Sequence, residues 1–501
     1  MAEARTATLT PEDRRRQFIE SGWWVSIPFT TVPAHWVYQG ENRLDANYYA
    51  QESQLAYRIV VDSGYPSRQL GEVAANIWYP SRFKRIFSNA NDGVPFVGAT
   101  ELVHLRPEVK YYISSNSTAA VNSLIAKENS LYITRSGTVG RISLFSKRLK
   151  GKALSEHIIR LDISQFPGYV YTFLSSSIGQ ALISRSVFGS SVSEIEPHHL
   201  AGIPVPILPE KDQAEIHAEI MRAYALRDEA NALLDEADEL LHEKLGLPRF
   251  DESLVPYLPP PAMPRLPAGR PEMPHPKAFS VKVSEIEDRF DASFHVPVAK
   301  TAINLLNKSK YVSVQLGQIT ADIIVAPRFK RIYVPKEYGI PFLQGSHLPQ
   351  MRPYDLKYLS RTKQKGIERW IIRAGWVLVT CSGTIGRVGL VSSYMDKWAA
   401  SQHILRIIPN KEKGHPGYIA SFLMTPYGQH QLTTKIYGGV VDELTEEDTR
   451  AVWIPNAPLE IQVEIGERVV KAFELKDEAS AVEERAIRKV EEILQVGIHH
   501  V

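Results

Sequence analysis

"PSRFKRIFS" occupies residues 80–88 and "APRFKRIYV" occupies residues 326–334, so the chain writes Arg-Phe-Lys-Arg-Ile twice, 246 residues apart. With that offset held, "QLG" at Gln69 falls over "QLG" at Gln315, and "GVPF" at Gly93 over "GIPF" at Gly339. Residues 43–114 and 289–360 share 25 identities in 72 ungapped positions. The register continues through "TRSGTVGRISL" (134–144) over "TCSGTIGRVGL" (380–390) and "SEHIIRL" (155–161) over "SQHILRI" (401–407). It then drifts to 249, where "RAYALRDEA" (222–230) matches "KAFELKDEA" (471–479). A unit of nearly 250 residues is far longer than a solenoid repeat, so the 501-residue chain is two copies of one module.

Each copy reads as a strand-rich body followed by one long helix, an α+β architecture. Short apolar runs such as "SLYITRSG" and "GWVLVTCSG" lead into glycine turns, the pattern of strands ending in hairpins. In the first helix Ile216, Ile220, Leu226, Leu233 and Leu240 mark an apolar stripe, and in the second Ile465, Val469, Leu475, Val482 and Val490 do so. Spacings of three and four over such a length describe long amphipathic helices, and a stripe that long must meet another helix. The two related helices are expected to pair as an antiparallel coiled coil. The divisions are an N-terminal extension (1–42), body one (43–208), helix one (209–246), a proline-rich linker (247–288), body two (289–457) and helix two (458–501). Ten prolines within 247–277 favour a semi-rigid extended connector, expected as a return path that leaves the second body far from the first. Trp23, Trp24 and Trp36 in the extension are expected to cover an edge of body one.

The net charge of +2 hides an uneven distribution: residues 210–245 carry −7 and residues 459–496 carry −4, which leaves +13 on the rest. Cationic bodies facing a polyanion would account for this, as would two solvated acidic helices beside an average surface. The single cysteine, Cys381, excludes a disulfide framework and a cysteine-based zinc site. No apolar run reaches the roughly 18 residues needed to span a bilayer, and the N-terminus lacks the apolar core of a signal peptide, so a cytoplasmic protein without membrane contact is expected.

Catalytic motifs are absent: there is no phosphate loop, no Gly-x-Ser-x-Gly elbow, no His-Glu-x-x-His and no Pro-Pro-Tyr/Phe. Asp92 with Glu108-Val109-Lys110 imitates a metal-dependent nuclease, but the second copy has Tyr338 and Tyr354-Asp355-Leu356 there. His198-His199 and His499-His500 offer no third ligand, so no metal site is expected. What the duplication retains is basic, hydroxyl and glycine-turn chemistry. In an extended segment alternate side chains share a face, so Arg82 and Lys84, like Arg328 and Lys330, would point outward to phosphates while Phe83 plugs into the body. Arg85 and Arg331 complete the basic set; a salt-bridged structural strand is the other reading. In "SGTVGR" and "SGTIGR", Ser136, Thr138 and Arg141, matched by Ser382, Thr384 and Arg387, could bind an anion or read guanine, or the turn could be purely architectural. His157 and His403 are read as core histidines.

Two "R-x-D-A…QLG…G-[VI]-P-F…SGT-[VI]-G-R…S-x-H-I" bodies, each followed by a long helix, resemble the specificity subunit of a type I restriction-modification system, or of a related methylation-based phage-defence system. The resemblance covers about residues 43–496 and departs in the extension and the proline linker. It implies that each body is a target-recognition domain reading half of a bipartite, asymmetric double-stranded DNA site. It implies a non-catalytic chain whose paired helices fix the half-site spacing and dock two adenine-N6 methyltransferase subunits, with a restriction or translocase subunit joining for cleavage. This chain would bind no cofactor; S-adenosylmethionine would sit on the methyltransferase partner. The stretches 115–133 and 361–379 diverge most and are expected to bear specificity. Rival readings are a self-contained nuclease using Glu108 and Lys110, and a protein-only scaffold.

Overall fold

The computed structural model describes residues 51–114, 116, 120–187, 193–257, 278–286, 290–292, 294–435 and 443–498. The extension with its three tryptophans, linker residues 258–277 and the His499-His500 pair lie outside the described residues.

The repeat seen in the letters is also a repeat of topology. The first copy runs α1 (Gln51–Val61), β1 (Ser67–Gln69), β2 (Ala74–Trp78), β3 (Phe87–Ser88), β4 (Gly93–Val97), β5 (Tyr111–Ser114), β6 (Ser130–Thr134), β7 (Ile142–Leu144), β8 (Ala153–Leu154) and β9 (Ile158–Ile163). It closes with α2 (Pro167–Ser175), α3 (Ser177–Ser186), α4 (Pro197–Ala201), β10 (Pro204–Pro206) and the long α5 (Glu210–Leu245). The second copy repeats this order as α6 (Pro297–Leu306), β11 (Ser313–Gln315), β12 (Thr320–Val325), β13 (Tyr333–Val334), β14 (Gly339–Leu343), β15 (Lys357–Ser360), β16 (Val377–Thr380), β17 (Val388–Leu390), β18 (Ala399–Ala400) and β19 (Ile404–Pro409). Its last elements are α7 (Pro416–Met424), α8 (Pro426–Thr434), α9 (Glu446–Arg450), β20 (Trp453–Pro455) and α10 (Leu459–Ile498).

Each body stacks an antiparallel sheet on a mixed one. The orders are β2-β9-β6-β7 and β3-β5-β4-β8 in the first body, and β12-β19-β16-β17 and β13-β15-β14-β18 in the second. The inner strands are apolar on both faces because they are covered on both: β6 and β16 are buried throughout, and Leu131 pairs with Leu161 as Val377 pairs with Ile407. A two-stranded ribbon, β1-β10 or β11-β20, ties the start of each body to the strand that feeds its long helix.

α5 and α10 pair antiparallel. Ion pairs from Glu215 to Lys489, Arg222 to Glu478, Glu236 to Arg468 and Lys244 to Glu464 run along the pair in opposite chain order. At ~1.5 Å per residue, the 36 residues of α5 span roughly 54 Å. Gly246, at φ +65°, caps α5 in the left-handed conformation. Ile216, Ile220, Ile465, Val469, Leu475, Val482 and Val490 are buried where the helices meet each other and the bodies. Leu226, Leu233 and Leu240 are only half-buried at its flank; Tyr224, Arg227, Asn231 and Leu234 hold the inner positions instead. Hydrophobic spacing misses this because the polar residues displace the stripe by one position. Seven of the ten residues named for the helices are therefore buried inside the molecule.

The expectation that the second body lies far from the first is overturned: the bodies touch. His104 and Gln350, which occupy the same position in the two copies, pair as a β-bridge, with Leu105 N donating to Pro349 O at 2.8 Å and Met351 N to Val103 O at 2.8 Å. Equivalent residues meeting each other place a pseudo-twofold axis at this seam. Tyr354 reaches across it to donate to Ile142 O at 2.9 Å. Beneath the seam, on the helix pair, Glu483 accepts from Arg227 and from Tyr171, each at 2.5 Å, and forms an ion pair with Arg352 at 2.6 Å, uniting both bodies and both helices in one buried charged cluster.

Candidate nucleic-acid interface

The two Arg-Phe-Lys-Arg-Ile segments run extended between β2 and β3, and between β12 and β13. Phe83 packs against the cluster of Phe96 and Ile113, and Phe329 stacks on Trp370 with centroids 3.9 Å apart. With the phenylalanine anchored, its neighbours point outward: the side chains of Arg82 and Arg328 are 75% and 79% exposed, and Lys84 and Lys330 are exposed as well. Arg85 and Arg331 are turned inward. Arg85 donates to Glu156 at 2.7 Å and lies 5.0 Å from the Phe96 centroid; Arg331 donates to Gln402 at 3.0 Å and lies 5.2 Å from Phe342. They brace the segment and leave the outer face to Arg82, Lys84 and their mates.

The Ser-Gly-Thr turns stand beside these segments. Thr134 closes the first turn: its hydroxyl donates to Thr138 O and accepts from Arg141 N, and Gly140 N donates to Thr134 O at 3.0 Å. Thr380 repeats the set with Thr384, Arg387 and Gly386. Gly137 and Gly140, at φ +79° and +85°, and Gly383 and Gly386, at +75° and +88°, adopt a backbone that side chains resist. Thr138 and Thr384 are exposed at the tips, while Ser136 and Ser382 are half-buried.

A carboxylate absent from the sequence reading links turn to segment. Glu194 forms a bridge with Ser136 and pairs with Arg82 at 3.7 Å; Glu443 forms a bridge with Ser382 and pairs with Arg328 at 3.1 Å. Each body thus presents an outward arginine and lysine, a hydroxyl-bearing turn and one carboxylate that aligns them. The arginine ending each turn goes elsewhere. Arg141 is 15% exposed, pairs with Asp355 and lies 5.0 Å from the Tyr354 ring, and Arg387 is half-buried near Glu108 and Glu101. Both point into the seam, not out over a base.

The histidine assignment is reversed. His157 and His403 are half-exposed beside the basic segments, and Arg160 and Arg406, three residues on, are the buried ones. Arg160 donates to the carbonyls of Leu154 at 2.7 Å and Ile158 at 2.8 Å; Arg406 does so to Ala400 at 2.6 Å and Ser401 at 3.0 Å. Burial lowers each guanidinium pKa to about 10. Burial, followed by Arg331 and Arg328, holds the His403 imidazole below its ordinary value.

The interface has parts that periodicity could not single out. Phe87 and Tyr111 are exposed with centroids 5.0 Å apart, and in the second body Lys357 stands 5.2 Å over Tyr333. Arg361, Lys363, Lys365, Arg369 and Arg373 are all exposed in the divergent stretch of body two, where residues 115–127 of body one hold only Lys127 as a cation. The nuclease-like set is ordinary surface pairing, with Lys110 3.8 Å from Glu101 and 3.5 Å from Glu108. Among the described residues no group of three His, Cys, Asp or Glu side chains could hold a metal, and no helix is long and apolar enough to cross a membrane.

Residues 308–485 match the family model of the type I restriction modification DNA specificity domain. The match falls within the second copy and its long helix. The first copy repeats the sheet topology of the matched one. A search of curated proteins found no match. Among solved structures, the S subunit of a type I restriction-modification system from M. genitalium is 10% identical, with 86% of this chain and 95% of that one covered and a TM-score of 0.35. The HsdS subunit from Thermoanaerobacter tengcongensis is 16% identical over 87% of this chain and 96% of its own, with a TM-score of 0.26. A structure described for complex assembly and conformational transition of the type I system is also 16% identical, over 87% and 97%, with a TM-score of 0.27.

Proposed function

We propose that the chain is the DNA-recognition subunit of a type I restriction-modification system or a related methylation-based defence system. Its two specificity domains read the two halves of a bipartite, asymmetric target. The observation that carries this reading is the pairing of equivalent, exposed cations, Arg82 with Lys84 and Arg328 with Lys330, on two diverged bodies around one pseudo-twofold axis. Shared cations suit sequence-independent grip on phosphates, and divergent stretches suit base reading. The outer acidic faces of α5 and α10 repel DNA and suit protein partners, two adenine-N6 methyltransferase subunits with a restriction subunit added for cleavage. S-adenosylmethionine and the methyl-transfer chemistry would then belong to those partners, and the role of this chain is recognition and scaffolding.

The test is duplex-DNA binding across a salt series. Lys84→Ala and Lys330→Ala should each weaken binding on all sequences and reduce the salt slope by about one counterion. Unchanged affinity and slope in both variants would remove these lysines from the interface.

A further inference from the structure

A cavity of about 240 Å³ opens at the seam, bounded by Ser136, Thr138 and Arg141 from the first body and by Gln350 and Arg387 from the second. At ~30 Å³ per water it has room for several waters or for a phosphoryl group. Arg141 and Arg387 are the charged side chains lining it, and His104, also in its wall, is held neutral with a pKa of about 4 by burial and by Arg387. Asp355 takes one nitrogen of Arg141, while its Nη1 is buried with no hydrogen-bond partner. No described residue accepts a hydrogen bond from the Arg387 guanidinium; Glu101 and Glu108 act on it only through space, are paired to Lys110, and do not line the cavity. Two guanidiniums with unspent donors, from two bodies, therefore face one polar hollow that contains hydroxyl donors and no carboxylate.

The place of the hollow says what would fill it. The chain of contacts Arg82–Glu194–Ser136 leads from the first basic segment to the cavity wall, and Arg328–Glu443–Ser382 leads to the turn that ends in Arg387. A duplex lying across both bodies passes over the seam, where the pseudo-twofold axis meets the middle of the unread spacer. We propose that the seam cavity is a phosphoryl-binding site clamped jointly by Arg141 and Arg387, which takes a backbone phosphate of the spacer or a free phosphate ion. A bound phosphate would supply the acceptors that both guanidiniums lack, and would hold the two bodies together at their contact. The site itself stands on the cavity alone; only the DNA source of its ligand rests on the reading of the chain as a DNA-recognition subunit.

The experiment uses the full chain, wild type, Arg387→Gln and Arg387→Lys. In the first arm, inorganic phosphate is titrated against chloride at matched ionic strength and the thermal midpoint is followed. In the second, the affinity for a duplex is measured from 50 to 200 mM salt. A free-phosphate site gives a phosphate-specific rise in midpoint for wild type that Arg387→Gln abolishes. A spacer-phosphate site gives an Arg387→Gln variant whose affinity loss over that salt range is smaller by about four-fold, the effect of one counterion, with Arg387→Lys restoring the salt slope. If Arg387→Gln and Arg387→Lys both match wild type in both arms, the proposal is overturned. If wild type binds no duplex at all, the DNA-recognition reading fails, and the phosphate arm alone still decides whether the site exists.

Discussion

Glu483→Gln should be the most damaging single-atom-scale change in the molecule. The Glu483 side chain is fully buried, accepts from Arg227 at 2.5 Å and from the Tyr171 hydroxyl, and forms an ion pair with Arg352 at 2.6 Å. Burial alone would raise its pKa, but the Arg352 and Arg227 cations hold the carboxyl below the ordinary carboxylate range. Arg227 depends wholly on this acceptor, because its Nε and Nη1 are buried without partners. An amide of the same size keeps the packing and removes the charge, which leaves two cations in a desolvated site. Removing one member of a buried ion cluster costs ~3–5 kcal/mol, whereas replacing the whole cluster by apolar residues of similar volume is near neutral. Urea unfolding followed by circular dichroism should show Glu483→Gln destabilised by about that amount, and hydrogen exchange should quicken in the middle of α5 and α10. The triple replacement Arg227→Met, Arg352→Met, Glu483→Leu should recover most of the loss. A cost below about 1 kcal/mol for Glu483→Gln would refute the reasoning, since it would mean that water reaches the cluster.

Acid should loosen the seam. Burial first, then Arg387 beside His104 and Arg141 beside His347, hold both imidazoles at a pKa of about 4 against the usual 6.5. Both stay neutral in the folded state while the unfolded chain takes up protons near pH 6.5, so stability is complete above that pH and declines down to about pH 4, by roughly 3 kcal/mol for each histidine. The thermal midpoint should fall across this window and fall less in the His104→Gln, His347→Gln double variant; identical profiles would exclude these histidines. Gly417→Ala should unseat the second body from its helix, because a Cβ there would stand 2.1 Å from Gly466 O. Neither backbone can yield cheaply, and a loss of ~1–3 kcal/mol in urea unfolding is expected, with no loss being the contrary result.

The duplication made most of the architecture legible, because two diverged copies that keep the same register reveal which residues matter to the fold. The pairing of the long helices followed from stripes too long for one body to cover. What escaped was decided between elements. Arg227 and Glu483 break an apolar pattern and are explained by each other across the helix pair and by Arg352, while Asn231 is explained by the Leu105 carbonyl of the first body, to which it donates. The exchange of His157 for Arg160 as the buried residue was invisible for a similar reason: the terminal nitrogens of Arg160 donate to main-chain carbonyls, which no side-chain pattern records. Within the candidate interface, the outward placement of Arg82 and Lys84 follows from alternation in an extended segment. The inward turn of Arg85 toward Glu156 and the diversion of Arg141 toward Asp355 depend on partners distant in the chain.

The bridge between His104 and Gln350 changes what the long helices are for. Two bodies that abut need no caliper between them. Their separation is set where main chain meets main chain, with the tolerance of a hydrogen bond, and the helices act as a vice that keeps the jaws closed on that setting. A change of spacing in such a design has to be made at the jaws.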